Sequence, residues 1–202
     1  MNDLEERLGR LRALEEHVRG CTRCPLSATR GQAVPGQGPV DASIILIGEG
    51  PGYHEDRTGR PFVGRAGQLL EQLLASIGLS REEVYIANVV KCRPPGNRDP
   101  LREEIQTCKP YLAHQLRIID PDIIVTLGRF AMERWLPNQR ITRVHGQAFR
   151  YYHRLIVPMF HPAAALRRPE WKTALFDDFK RLPEWLSQAR ALRAQPQEKP
   201  PN

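Results

Sequence analysis

The chain has 202 residues, a formal net charge of +7 and a pI of about 9.6, with arginine supplying most of the positive charge. That length suits one domain with a substantial core. No apolar run approaches membrane-spanning length, so a soluble protein without membrane contact is expected. Arginine-rich surfaces suit phosphate, because the planar guanidinium binds its oxygens bidentately, although many basic proteins carry only a solvated basic face.

In chain order, residues 3–19 read as an amphipathic helix with Leu4, Leu8, Leu11 and Leu14 on one stripe. This segment has no apolar h-region of a signal peptide. Apolar runs at 43–47, 84–90, 122–127 and 154–160 read as buried strands, since they lack the alternation of half-exposed ones. Between them, 64–77 predicts a helix with Leu69, Leu70, Leu73, Leu74 and Ile77 on one face and Gly78 as its cap. Ser80 and Glu83 have capping-box spacing at a short turn. Residues 100–119 predict a further helix, with Asp99 as N-cap, Pro100 at its first position and a kink at Pro110. Residues 170–192 predict a closing helix interrupted at Pro183. Residues 1–192 thus form one domain, and 193–202, rich in Pro, Gln and Lys, form a disordered tail.

The alternation of strands and helices predicts an α/β fold, a three-layer α/β/α sandwich around a four-stranded parallel sheet. Ligands bind such sheets beyond the carboxyl ends of the strands. The residues there are 48–56 after the first strand, Asn88 and Lys91 at the second, Gly128 and Arg129 after the third, and His161 to Arg168 after the fourth.

The four cysteines form a second signal. Cys21 and Cys24 are separated by two residues, and Cys92 and Cys108 flank a Pro/Gly/Asn loop. Four thiolates with none left over suit one all-cysteine site for zinc or an iron–sulfur cluster. Two disulfides fit the even count but not the missing signal peptide. Zinc ribbons usually carry two short knuckles and this chain has one, which leans toward a cluster without deciding it.

The glycines at 48, 50 and 52 do not make a dinucleotide fingerprint. The spacing is wrong, Pro51 removes an amide, and no phosphate-loop lysine is present. Glu49 and Glu55 lie in that loop, where carboxylates can orient water or stabilise positive charge. Phe62, in a Gly/Pro loop, can plug the core or stack on a base. Asn88, in an apolar strand, must find hydrogen-bond partners, and its amide matches a pyrimidine edge. His161 can donate to a carbonyl oxygen.

Gly-Glu-Gly-Pro-Gly-x-x-Glu-Asp at 48–56, Gly-Arg-Pro-Phe-Val-Gly at 59–64, Asn88, His-Pro-Ala-Ala at 161–164 and the four cysteines recur in this order in one family. With them the chain resembles the family 4 uracil-DNA glycosylases, the iron–sulfur type of bacteria and archaea, over roughly residues 10–185. The resemblance implies a uracil-excising hydrolase of base excision repair, with a structural [4Fe–4S] cluster on Cys21, Cys24, Cys92 and Cys108. It implies uracil contacts from Glu49, Gly50, Pro51, Glu55, Phe62, Asn88 and His161. Glu49, Glu55 and His161 are then the catalytic candidates. Leu166, Arg167 and Arg168 are the expected minor-groove wedge and phosphate clamp. The implied partners are uracil-containing DNA, single- or double-stranded, and the uracil product. The implied setting is a monomer in a prokaryotic cytoplasm, at the nucleoid. Residues 93–99 lack the histidine of a cross-linking relative, so ordinary turnover is expected. Two competing readings are a non-catalytic iron–sulfur DNA-binding protein and a glycosylase for another deaminated base such as hypoxanthine.

Overall fold

The computed structural model describes residues 2–195. The elements are α1 (Asp3–Arg19), β1 (Ile44–Gly48), α2 (Tyr53–Thr58), α3 (Arg65–Ala75), β2 (Tyr85–Asn88), α4 (Arg102–Ile119), β3 (Ile123–Leu127), α5 (Arg129–Met132), α6 (Ile141–Val144), β4 (Phe149–Tyr151), β5 (Arg154–Met159), α7 (Pro162–Ala165), α8 (Pro169–Lys180) and α9 (Leu182–Ala194). The sheet order is β2-β1-β3-β5-β4. The four expected strands pair in parallel, and β4 adds an antiparallel edge. The sheet therefore has five strands and is mixed, which corrects the four-stranded expectation. The hairpin joining β4 to β5 turns at Tyr152, which has φ +55° without being glycine, so no Gly or Asn marks it in the sequence.

Alternate side chains of the central strands enter two separate cores. Ile44 and Leu46 pack with α3, α8 and α9, whereas Ile45 and Ile47 pack with α1 and α4. Both faces of the sheet are covered, which is why these strands lack polar alternation. The chain moves from β1 to β2 on one side and then to β3 on the other, so the switch point lies beside β1.

Several boundaries differ from expectation. Leu4 and Leu8 are exposed, and Leu11 and Val18 carry the buried face of α1, which packs against α4. Arg7 explains part of this docking: its guanidinium donates to the carbonyls of Ile118 at 2.8 Å and Ile119 at 2.7 Å, at the end of α4. The N-cap of α4 is Leu101, and Glu104 returns to the Leu101 amide at 2.7 Å. Asp99 instead pairs with Arg129, so neither it nor Pro100 opens the helix. α4 continues through Pro110. Val89 and Val90 leave β2 to bond the carbonyls of Gly48 and Glu49 at 3.0 and 3.1 Å. The closing helix breaks at Arg181, and Pro183 sits in the first turn of α9, where its missing amide costs nothing. α9 runs to Ala194, so Arg193 and Ala194 are helical, and residues 196–202 of the expected tail lie outside the described residues. Gly78 caps α3 as expected, with φ +74° and a 3.0 Å bond from the Leu79 amide to the Leu74 carbonyl.

Candidate active site

The segments at the carboxyl ends of β1, β2 and β5 bring Gly48, Asn88 and His161 together, and the loop before α3 adds Phe62. A Cβ on Gly48 would lie 2.5 Å from Asn88 Oδ1 and 2.7 Å from the Phe62 ring, so only glycine lets these groups meet. Phe62 has φ +52° and is 6 % exposed, packed at the margin of the core with its ring 5.7 Å from that of His161. It is held from behind, since a Cβ on Gly67 would lie 1.9 Å from the Phe62 carbonyl oxygen. Asn88 is 2 % exposed, and among the described residues its Oδ1 has no partner. A buried acceptor in that state marks a place for a ligand's donor. Gly50 lies against Val90, and Pro51 is buried beside it.

His161 lies two residues past the end of β5 and caps α7. The Ala163 amide donates to its Nδ1 at 3.1 Å, so that nitrogen is unprotonated and the neutral ring carries its proton on Nε2. Burial pushes its pKa down to about 4, against the opposing pull of Glu55. At neutral pH the ring is therefore an uncharged donor.

The two loop glutamates differ sharply. Glu55 accepts the Gly52 amide at 3.0 Å, the Val63 amide at 2.8 Å and the Gly64 amide at 2.9 Å. Its carboxylate ties the start of α2 to the loop that presents Phe62. Glu49 accepts no such bonds and stands half-buried at the pocket. Burial raises its pKa to about 7, Asp99 adds to the rise, and Arg129 opposes it. A carboxyl group poised near neutral pH is suited to acid–base work.

Leu166, Arg167 and Arg168 are exposed on the segment joining α7 to α8. Arg168 also lies 4.4 Å over the Trp171 ring, which stacks on Phe160 at 4.5 Å. This stack anchors the segment immediately behind His161.

The four cysteines line one internal cavity with Arg30, Lys91 and Tyr111. Arg30 donates to Cys92 Sγ at 3.0 Å and the Lys91 amide to Cys108 Sγ at 3.3 Å. Burial raises the pKa of the Cys92 and Cys108 thiols, to about 11 for Cys108. Among the described residues, no three His, Cys, Asp or Glu side chains converge as the ligands of a single ion do.

Lys91 was not singled out as a site residue in the sequence, yet it joins the two regions. Its side chain is 1 % exposed, and Nζ donates to the Asn88 carbonyl at 2.9 Å and to Gln115 Oε1 at 2.6 Å. Gln115 is held in turn by the Pro35 carbonyl and the Tyr85 hydroxyl, at 2.8 and 3.1 Å. A lysine directly after a buried run was the available signal. The Asp99–Arg129 pair beside Glu49 and the exposed Tyr53, with Arg93 5.2 Å from its ring, were likewise not anticipated.

Residues 35–182 match the uracil DNA glycosylase superfamily. The chain is 45 % identical over 184 residues to the type-4 uracil-DNA glycosylase of Sulfurisphaera tokodaii, covering 86 % of this chain and 84 % of that protein. The corresponding protein of Saccharolobus solfataricus is also 45 % identical over 184 residues, with 86 and 85 % covered. That of Thermotoga maritima is 48 % identical over 157 residues, with 76 and 82 % covered. The chain belongs to the type-4 family of this superfamily.

Proposed function

We infer that this chain excises uracil from DNA, hydrolysing the N-glycosidic bond to leave an abasic site, the opening step of base excision repair. The observation that carries this reading is the unpartnered Asn88 Oδ1, buried beside Gly48 and Phe62. Uracil presents an N3–H to such an acceptor and an O4 to the amide's NH₂. Cytosine presents the reverse pattern.

A base inside a duplex cannot enter this pocket, so the nucleotide is flipped, at a cost of a few kcal/mol. Stacking on Phe62 offsets part of that cost. Leu166 fills the vacated step, and Arg167 and Arg168 hold phosphates. Gly50 and Pro51 bring backbone close to the uracil ring. As the bond breaks, negative charge develops on uracil and positive charge on the sugar. His161 donates from Nε2 to O2, and as a neutral group it needs no prior proton loss. Glu49, once ionised, favours the cationic sugar and orients the attacking water. Glu55 serves as a positioning residue, because its oxygens face three backbone amides.

Cys21, Cys24, Cys92 and Cys108 hold a [4Fe–4S] cluster. The donors from Arg30 and the Lys91 amide support this assignment, since they suit sulfurs bearing the negative charge of an anionic cluster. A cluster bound there would cross-link the segment after α1, which carries Cys21 and Cys24, to Cys92 beyond β2 and Cys108 in α4. The protein works as a monomer in a prokaryotic cytoplasm. No helix among the described residues is long and apolar enough to cross a membrane.

The test is incubation with a single uracil in labelled DNA, reading free uracil and alkali-labile abasic sites. Release of uracil supports the reading. Tight binding without release would favour a non-catalytic binding protein, and release of hypoxanthine alone would favour a different deaminated base.

A further inference from the structure

On the face of the sheet that carries α4, a wide cleft runs beside this helix, away from the base pocket. Its floor is apolar and includes Leu112, Leu116 and Ile124. Its walls carry Arg102, Lys109 and Arg117 along α4, and Arg134 from the segment after α5. Among the described residues none of these four cations forms an ion pair, and Glu133 is the only acid lining the cleft. Trp135 and Tyr151 are interleaved with them, and Tyr151 is 42 % exposed.

We propose that this cleft binds single-stranded DNA flanking the target nucleotide. The charge is complementary to a polyanion. The aromatic rings discriminate among polyanions, because unpaired bases can stack on them, whereas a duplex offers only its backbone there. One end of the cleft approaches the candidate site, because its lining residues Pro100 and Phe130 directly follow Asp99 and Arg129, the pair whose charges act on Glu49. From Arg102 to Arg117, α4 rises about 22 Å, which is enough for several nucleotides. The target nucleotide is the uridine of the reading above, and the proposal rests on that reading to this extent.

The test compares single-stranded uracil oligonucleotides of about 6 and about 30 nucleotides, lengths below and above a typical strand-binding site. Affinity is measured against salt, and single-turnover excision is followed in parallel. The wild type is expected to bind the long strand at least about tenfold more tightly. Arg117→Glu combined with Arg134→Glu is expected to abolish this advantage and to lower the salt slope by roughly 1.4, the equivalent of two phosphates on a single strand. The double variant is expected to excise from the short strand at the wild-type rate, which also shows that it is folded. Trp135→Ala is expected to weaken long-strand binding with little change in salt slope. Equal affinity for both lengths, or a double variant that keeps the length advantage, would overturn the proposal. So would an acidic peptide that binds the cleft and is not displaced by the long strand. Failure of the wild type to excise from either strand would instead overturn the uracil reading and leave the binding comparison intact.

Discussion

Asn88 ends β2 and His161 follows β5, and the proposed reading assigns them to different stages of the reaction. On the proposed reading Asn88 recognises the base, so its loss leaves the N3–H and O4 of a bound uracil unpaired. A buried polar group left unpaired costs about 1–3 kcal/mol. Asn88→Ala is expected to slow uracil excision by at least about tenfold while affinity for undamaged DNA stays unchanged. Rate and affinity measured on the same preparation check this. Glu49 sets the pH dependence. Its pKa is raised to about 7, so the working carboxylate forms as pH rises through that value and is lost below it. Single-turnover excision is expected to increase with pH to a plateau above about 7. Asp99 raises the Glu49 pKa, so Asp99→Asn should move the midpoint to lower pH. Glu49→Gln should flatten the rise. Both candidate residues stand out in the sequence because a polar side chain at or just past the end of an apolar run is conspicuous. Lys91 stands out in the sequence only as one residue at that sheet edge, because its burial and its bonds to Asn88 and Gln115 depend on the fold. The division between Glu49 and Glu55 was also invisible, since it rests on backbone amides at Val63 and Gly64 that only the folded loop supplies.

At the scale of elements, the base platform depends on how closely α3 approaches the loop before it. Gly67 makes this possible, with no room for a methyl group against the Phe62 carbonyl. Gly67→Ala is expected to destabilise the protein by about 1–3 kcal/mol, as overpacking does. It should also displace Phe62, so excision falls further than the loss of folded protein explains. Chemical denaturation and single-turnover kinetics together separate these effects. The central strands and long helices could be read from their apolar patterns. β4 could not, because it is short, lies at the edge and turns through Tyr152 without a glycine. The start of α4 shifted because Asp99 was drawn into a pair with Arg129, a contact between segments distant in sequence.

Across the whole molecule, two centres are coupled through one short stretch. Asn88 belongs to the base pocket, Cys92 to the cysteine cavity, and Lys91 is bonded toward both. The proposed cluster predicts a brown wild-type protein, and Cys108→Ser is expected to lose that colour, lower the melting temperature and reduce folded yield. A variant that keeps both colour and iron content would count against the assigned ligand set. The three-layer fold was legible because its strands alternate with helices, while the coupling was not, since it depends on which side chains the sheet brings into register. The most direct test of the chemistry is His161→Ala, measured for single-turnover uracil release and for affinity toward abasic product DNA. A neutral donor acting only as charge develops should cost about 100- to 1,000-fold in rate with product affinity unchanged. A variant that releases uracil at the wild-type rate but binds the abasic product poorly would contradict this.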